Sequence, residues 1–442
     1  MGIHISQIPE VSGLASPRGL IRIPPDLDVP ITPRIRNIID SAAIRRLSSI
    51  SQLGLVSLVY PAANHSRFEH SLGVYRTALL YLQQLSQDER FGSAISTQSA
   101  ERFIVAALLH DVGHWPFCHP LEDIRDPRVP RHETLAEEFL QGEIEELLRT
   151  EWDLTPNAIV SLLRGDDQTE SGRLLGSLLS GPIDVDKMDY LRRDSLHAGV
   201  PYGQNFDRAR LIGSLCLNEA GDALAITDKG RTAAELMVFA RYVMFSEVYW
   251  HHTVRAATAM LQRAFYILAD KLDMQALFRL TEAEMIRELL AHSEGSSASQ
   301  LLHGLFGPKR RLYKRLDQYS LFQQPDIYAK LARRPYPWLV QCAEALAARL
   351  AAETNSQISP EQILIDAPPV KREVEIKIDV HFAKEHRYRP LSEVSPVVQT
   401  LAKEQFDDYV KRVRILAAPE IIDEVRGVKD LATLLHKTID EL

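Results

Sequence analysis

A helix without a polar face is stable in water only when other elements surround it, and residues 103–109, FIVAALL, impose that condition on this chain. The helix runs directly into HDVGHWPFCH at 110–119, which holds three histidines, an aspartate and a tryptophan in ten positions. The fold must therefore bury the helix centre and gather polar groups at its end. Helical spacing recurs elsewhere: Ile35, Ile38, Ile39, Ile44, Leu47, Ile50 and Leu53 form one stripe, and FEHSLGVYRTALLYLQQL follows the break at Pro61 and Asn64. Further helices are expected at 132–148, 156–164, 172–180 and 184–196. A near-continuous helix is expected at 231–272, and more helix over 280–350 with a Ser-rich interruption at 294–300. Strand alternation enters late, in VEIKIDVHF (374–382) and YVKRVRIL (409–416). Six of the 24 prolines fall within residues 1–33, which read as an irregular lead-in.

Apolar residues make up 45% and charged residues 25% of the 442, an ordinary balance for a globular protein. A net charge of −8 argues against a chain that coats nucleic acid through its overall field. The longest apolar runs, 104–109 and 53–60, are far shorter than the roughly 20 residues of a spanning helix, so no membrane partner is expected. Cys118, Cys216 and Cys342 stand far apart with no CxxC pair, which supports neither a disulfide framework nor a thiolate zinc site. With no apolar h-region at the N-terminus, a cytoplasmic location is expected.

Three segments carry a metal hypothesis: His70 in NHSRFEHSLG, His110 and Asp111 in LLHDVGH, and Asp186 in IDVDKMDY. Two imidazoles and two carboxylates suit a divalent transition metal with positions left open for water and substrate. The segments are too distant in sequence to share a helix, and bundle cores hold metals through side chains converging from facing helices. His110 and Asp111 lie about 100° apart round a helix, so both reach one ion most easily at a helix end, which Gly113 supplies. Taken singly, each histidine is better explained as a buried, hydrogen-bonded ring and Asp111 as a cap; the combination favours a site.

HSRFEHSLG, LLHDVGHWPFCH, the HE at 132–133 and IDVDKMDYLRRDSLHAG, in this order and at these distances, resemble the HD-domain phosphohydrolases. Within them the match is to the deoxynucleoside triphosphate triphosphohydrolases, both bacterial dGTPase-like and vertebrate SAM-and-HD-domain enzymes. It runs from about Arg34 to Arg263 and continues more weakly through LSEVSPVV. The resemblance implies a mainly α fold, an HD-domain helical bundle core with a small α+β C-terminal region. The domains expected are a lead-in (1–33), the HD core (34–272), a helical extension (273–355) and the α+β region (356–442). It assigns His70, His110, Asp111 and Asp186 to a divalent metal: Mn, Fe, Zn, Co or Mg. It places His114, His119 and His132 around the scissile phosphate, with Glu122 where the vertebrate enzyme pairs an aspartate with the acid histidine. Arg67, Lys187 and Arg241 match phosphate-binding positions, Gln52, Tyr190 and Asp194 meet the sugar, and Tyr249 meets the base.

The implied reaction is hydrolysis of a dNTP to deoxynucleoside and inorganic triphosphate by a homo-oligomer, dimer to hexamer. Asp40 is kept from the segment that holds an activating guanine in the vertebrate enzyme, but Arg45 and Ser48 replace its glutamine and arginine, which argues against guanine-specific activation there. PKRRLYKR at 308–315 is a candidate contact for an effector nucleotide or single-stranded nucleic acid, or simply a solvated face. The alternatives are a phosphodiesterase or exonuclease acting on single-stranded nucleic acid through that run and a catalytically silent nucleotide sensor or scaffold.

Overall fold

The computed structural model describes residues 4–25, 28–369, 377–403 and 410–442. Seven helices position the motif residues: α1 (Pro33–Asp40), α2 (Ala42–Leu47), α3 (Arg67–Leu85), α4 (Thr97–Leu109), α5 (Cys118–Glu122), α6 (His132–Phe139) and α7 (Val185–Ala198). The apolar helix is α4. Ser96 caps it by accepting from the Ser99 amide, and Phe103 to Leu109 are all fully buried against α3 and the helix Pro156–Arg164. Ser66 caps α3 through the Glu69 amide, and Asp184 caps α7 through that of Lys187, so each helix begins within a turn of a motif residue. Helices α3 and α7 meet at Gly73, where a Cβ would stand 2.0 Å from Asp189 Oδ1; only glycine permits that approach.

Two expected helices divide. The 132–148 helix ends at Phe139 and restarts at Glu143 after Gly142, whose φ of 69° breaks the ladder. The 231–272 helix becomes α8 (Arg231–Met244), a π-helical turn over Phe245–Tyr249, and α9 (His252–Leu268). Tertiary partners hold this break open. Extended His251 caps α9 through the Thr253 amide, while Arg255 stacks 3.9 Å over Trp250, whose indole donates to the Arg412 carbonyl.

Among the described residues, nine short strands complete the fold: β1 (Leu20–Ile21), β2 (Val29–Pro30), β3 (Leu215–Leu217), β4 (Leu224–Thr227), β5 (Lys314–Tyr319), β6 (Ile363–Asp366), β7 (Asp379–Phe382), β8 (Arg387–Pro390) and β9 (Val413–Ala417). β1 pairs with β2; a second sheet runs β3-β4-β7-β8, with β4 and β7 parallel; the third runs β5-β9-β6, all antiparallel. The strand expected at 374–382 is present as β7, and that at 409–416 as β9; the remaining residues of those stretches lie partly outside the described ones. β5 corrects the helical reading of 280–350: its strand state comes from pairing with β9, nearly a hundred residues on, which no local period encodes.

Two apolar cores result. One surrounds α3, α4, α7 and α8 with the four-stranded sheet; the other surrounds α9, α10 (Ala298–Phe306), α11 (Tyr336–Thr354) and the three-stranded sheet. The fold is thus mainly α with small sheets. The loop from His114 to α5 spans both cores: Val112 packs in the first, Trp115, Phe117, Cys118 and Leu121 in the second. Among the described residues no helix is long and apolar enough to cross a membrane.

Candidate metal centre

His70 lies in the first turn of α3 and is 1% exposed; His110 ends α4; Asp186 lies in the first turn of α7. His70 Nε2 is 3.2 Å from His110 Nε2 and 3.0 Å from Asp186 Oδ1, and His110 Nε2 is 3.9 Å from the same oxygen. The other ring nitrogens fix the tautomers. His110 Nδ1 lies 2.9 Å from the Ala107 carbonyl, which can only accept, and His70 Nδ1 donates to Asp189 Oδ2 at 2.8 Å. Burial would raise the Asp189 pKa, but the Arg193 guanidinium holds it well below the carboxylate range through two 2.8 Å bonds. Each neutral imidazole therefore turns a lone pair toward the other and toward a carboxylate oxygen. Three acceptors converging on one point repel unless a positive charge lies between them. Burial lowers the His70 pKa, and Asp186 and Asp189 outweigh burial to raise it to about 10, which reflects how strongly this point favours positive charge. A divalent cation fits the same donor set, with Asp189–His70 as a carboxylate–histidine support.

Asp111 bridges this trio to the next group. Its Oδ1 is 3.4 Å from His110 Nε2 and 3.1 Å from His114 Nδ1, and Oδ2 accepts from Arg67 at 2.7 Å. Burial raises its pKa, yet His110 and the Arg67 guanidinium hold it well below the usual range. Burial and the Arg67 charge push the His114 imidazole well below its ordinary value, so this ring is neutral. His132 stacks on His114 with ring centres 3.9 Å apart, and His119, with its side chain 63% exposed, is 5.2 Å from His114. Gly113 makes the stacking possible: a Cβ there would be 2.1 Å from the His132 carbonyl oxygen.

Glu122 reaches His132 despite its extra methylene. Its Oε1 accepts from both the His132 backbone amide and Nδ1, each at 2.9 Å, and Oε2 is 3.7 Å from His119 Nδ1. Burial would raise its pKa, but hydrogen bonds from His119 and His132 hold it well below the carboxylate range. One carboxylate thus caps α6 and orients its first side chain.

The proposed substrate residues divide. Asp194 and Tyr249 are joined by a 2.6 Å hydrogen bond from the Tyr249 hydroxyl to Oδ2, and the Tyr190 ring stands 6.4 Å from that of Tyr249. Gln52 bonds through its backbone amide to the His65 carbonyl, and its Oε1 is a buried acceptor without a hydrogen bond. Lys187 is held by Asp184 at 2.5 Å, and Arg241 is buried on α8 with its guanidinium 5.5 Å from the Phe245 ring. Sequence reasoning passed over several residues that build the site. His65 Nε2 holds the second Asp194 oxygen at 2.9 Å and stacks on His197 at 4.3 Å; Arg46 clamps the Val112 and His114 carbonyls at 2.9 and 2.7 Å. Asp189 and Arg193 were legible: with Asp186 they fall at i, i+3 and i+7 of one helix, a single face.

Histidine and aspartate drawn from three helices of one bundle, with buried arginine beside them, form a candidate metal centre of the HD type. Residues 67–194 match the HD domain and residues 206–436 the HD-associated region. The chain belongs to the HD-domain proteins that carry this associated region. It is 31% identical to an uncharacterized protein of Methanocaldococcus jannaschii over 93% of this chain and 82% of that one. It is 28% identical to the deoxynucleoside triphosphate triphosphohydrolase SAMHD1 of Gallus gallus over 70% of this chain, and spans 57% of that enzyme. A crystal structure of an Aquifex aeolicus protein superposes with a TM-score of 0.71 at 28% identity, over 92% of this chain and 98% of the other.

Proposed function

We propose that this protein hydrolyses deoxynucleoside triphosphates at the α-phosphate, releasing deoxynucleoside and inorganic triphosphate. The observation that carries the reading is the His132–Glu122 pair stacked on His114, next to the convergent His70, His110 and Asp186. A divalent cation held by His70, His110, Asp111 and Asp186 would supply Lewis acidity toward a phosphoryl oxygen and lower the pKa of water. Glu122 keeps the proton on His132 Nδ1, so Nε2 is the atom left to exchange a proton with the leaving oxygen. Neutral His114 and exposed His119 line the phosphate, and Arg67, Lys187 and Arg241 neutralise its charge. Asp194, pinned between His65 and Tyr249, and the bare acceptor of Gln52 offer a polar wall to the sugar. The similarity to the Gallus gallus enzyme supports the substrate class.

The test is product analysis on each of the four dNTPs after defined metal loading, with and without a second nucleotide. Deoxynucleoside plus triphosphate is expected; release of only monophosphate or orthophosphate would overturn the reading. A Glu122→Ala variant should lose about 10²-fold in kcat with KM little changed.

The 308–315 run contributes to a cavity of about 330 Å³ lined by Arg310, Lys314, Arg315, Arg426 and His252. Burial, and after it the neighbouring His251 and Arg315, push the His252 imidazole down to about 4. The volume favours a small anionic effector nucleotide over an extended strand. Saturable nucleotide binding, lost in Lys314→Ala, is expected; oligonucleotide binding lost in the same variant would favour the nuclease reading instead.

A further inference from the structure

Cys118 takes no part in the chemistry above, yet it opens α5 among the histidines of the site and is 1% exposed. Its sulfur and one nitrogen each of His114, His119 and His132 lie within 4.8 Å of one another. The preceding residue, Phe117, holds a left-handed φ of 57°, a costly conformation for a bulky side chain that packing against Phe306 maintains. Three imidazoles and a thiol form a borderline-soft donor set, unlike the mixed imidazole and carboxylate set of the first centre. Zinc–ligand lengths of about 2.0–2.3 Å put tetrahedral donor atoms roughly 3.3–3.7 Å apart, so the four groups need to close by at most about 1.5 Å. His119, the most exposed of them, has room to make that movement. Glu122 already supports His132 through Nδ1, the carboxylate–histidine arrangement found behind metal ligands, which leaves Nε2 as the donor. Glu133 Oε1, 3.7 Å from His132 Nε2, adds a further negative group at the same edge.

We propose that Cys118, His114, His119 and His132 form a second cation site, selective for thiophilic divalent metals such as zinc, and that filling it silences the enzyme. Binding forms one sulfur–metal and up to three nitrogen–metal bonds, and the thiol proton leaves to solvent. The two centres share a wall, since His114 Nδ1 stands 3.1 Å from Asp111 Oδ1. Cysteine spacing concealed this site, because its other three donors are histidines. The binding rests on geometry alone; the silencing rests on the phosphohydrolase reading, because a metal on these rings removes the lone pairs that face the phosphate.

The experiment titrates the metal-stripped full-length chain with cobalt(II), then with zinc. A thiolate-to-cobalt charge-transfer band is expected in the wild type, in Cys216→Ser and in Cys342→Ser, and is expected to vanish in Cys118→Ser. In manganese-loaded protein, zinc should inhibit dNTP hydrolysis; Cys118→Ser should keep wild-type turnover and need about tenfold more zinc for half inhibition. Absence of the band from the wild type overturns the site without recourse to any variant, and so does a band unchanged in Cys118→Ser. Equal zinc sensitivity of the two proteins overturns the silencing. Spectroscopic binding in a protein that turns over no dNTP would leave the site standing and refute the substrate assignment instead.

Discussion

Asp189 does for His70 what no metal ligand can do for itself: it holds Nδ1 and so aims Nε2. Replacing it with asparagine should leave the helices intact by circular dichroism and weaken metal binding about 10–100-fold, measured by competition with a chelator of known affinity. Unchanged affinity would mean that the His70 tautomer is set by something other than this carboxylate. The four candidate metal-binding residues were legible in the sequence because each sits at a fixed place in a short motif, and the structure gathers three of them, His70, His110 and Asp186, with Asp111 beside His110. His65 was not, because its meaning comes from Asp194 on α7, 129 residues later. The Glu122 substitution illustrates the limit differently. Residue identity alone left open whether the longer side chain still meets His132, whereas the structure closes the pair by letting one oxygen serve both the ring and the helix N-terminus.

Among elements, the approach of α6 to the end of α4 decides whether His132 reaches His114. Gly113 is the contact point, so Gly113→Ala should cost about 1–3 kcal/mol in urea unfolding and also lower turnover, because α6 must retreat to admit the methyl. A change in stability with no change in activity would show that the histidine pair tolerates the displacement. A second tie fixes α4 to the loop after Pro156–Arg164: Asp167 accepts from Arg102 at 2.6 Å and from the Thr169 hydroxyl at 2.7 Å. Hydrogen bonds from Thr169 and Arg102 lower its pKa from 3.8 to about 2. A depressed carboxylate stabilises the fold fully above its unfolded pKa and loses that contribution as pH falls through the folded one. The difference in urea midpoint between wild type and Asp167→Asn should therefore be constant from neutral pH down to about 5 and shrink between about 4 and 2. A difference that persists unchanged at the low end would contradict the ion-pair account.

Across the whole molecule, the motif loop belongs to two cores at once. Trp115 packs on Phe278 at 4.5 Å and Phe117 on Phe306 at 5.7 Å, so residues far along the chain hold the segment that carries His114 and His119. The HD-associated region therefore packs behind the motif loop rather than hanging beside it. Metal binding should act on this assembly as a native-state ligand. Stripping the metal should lower Tm, and restoring it at about 100 times Kd should return about 2.7 kcal/mol, with Tm rising further as metal concentration increases. A Tm indifferent to metal would exclude a centre assembled only in the folded chain.

The sequence by itself determined the helical class, the buried α4 and the candidate ligand residues, because helical periodicity and motif spacing are local properties of neighbouring residues. Tertiary structure alone decided the break between α8 and α9, the strand state of β5, the tautomers of His70 and His110, and the meeting of Cys118 with three histidines. Each of these depends on a partner distant along the chain, and a strand pairing, a ring proton or a cap is stable only once that partner is in place.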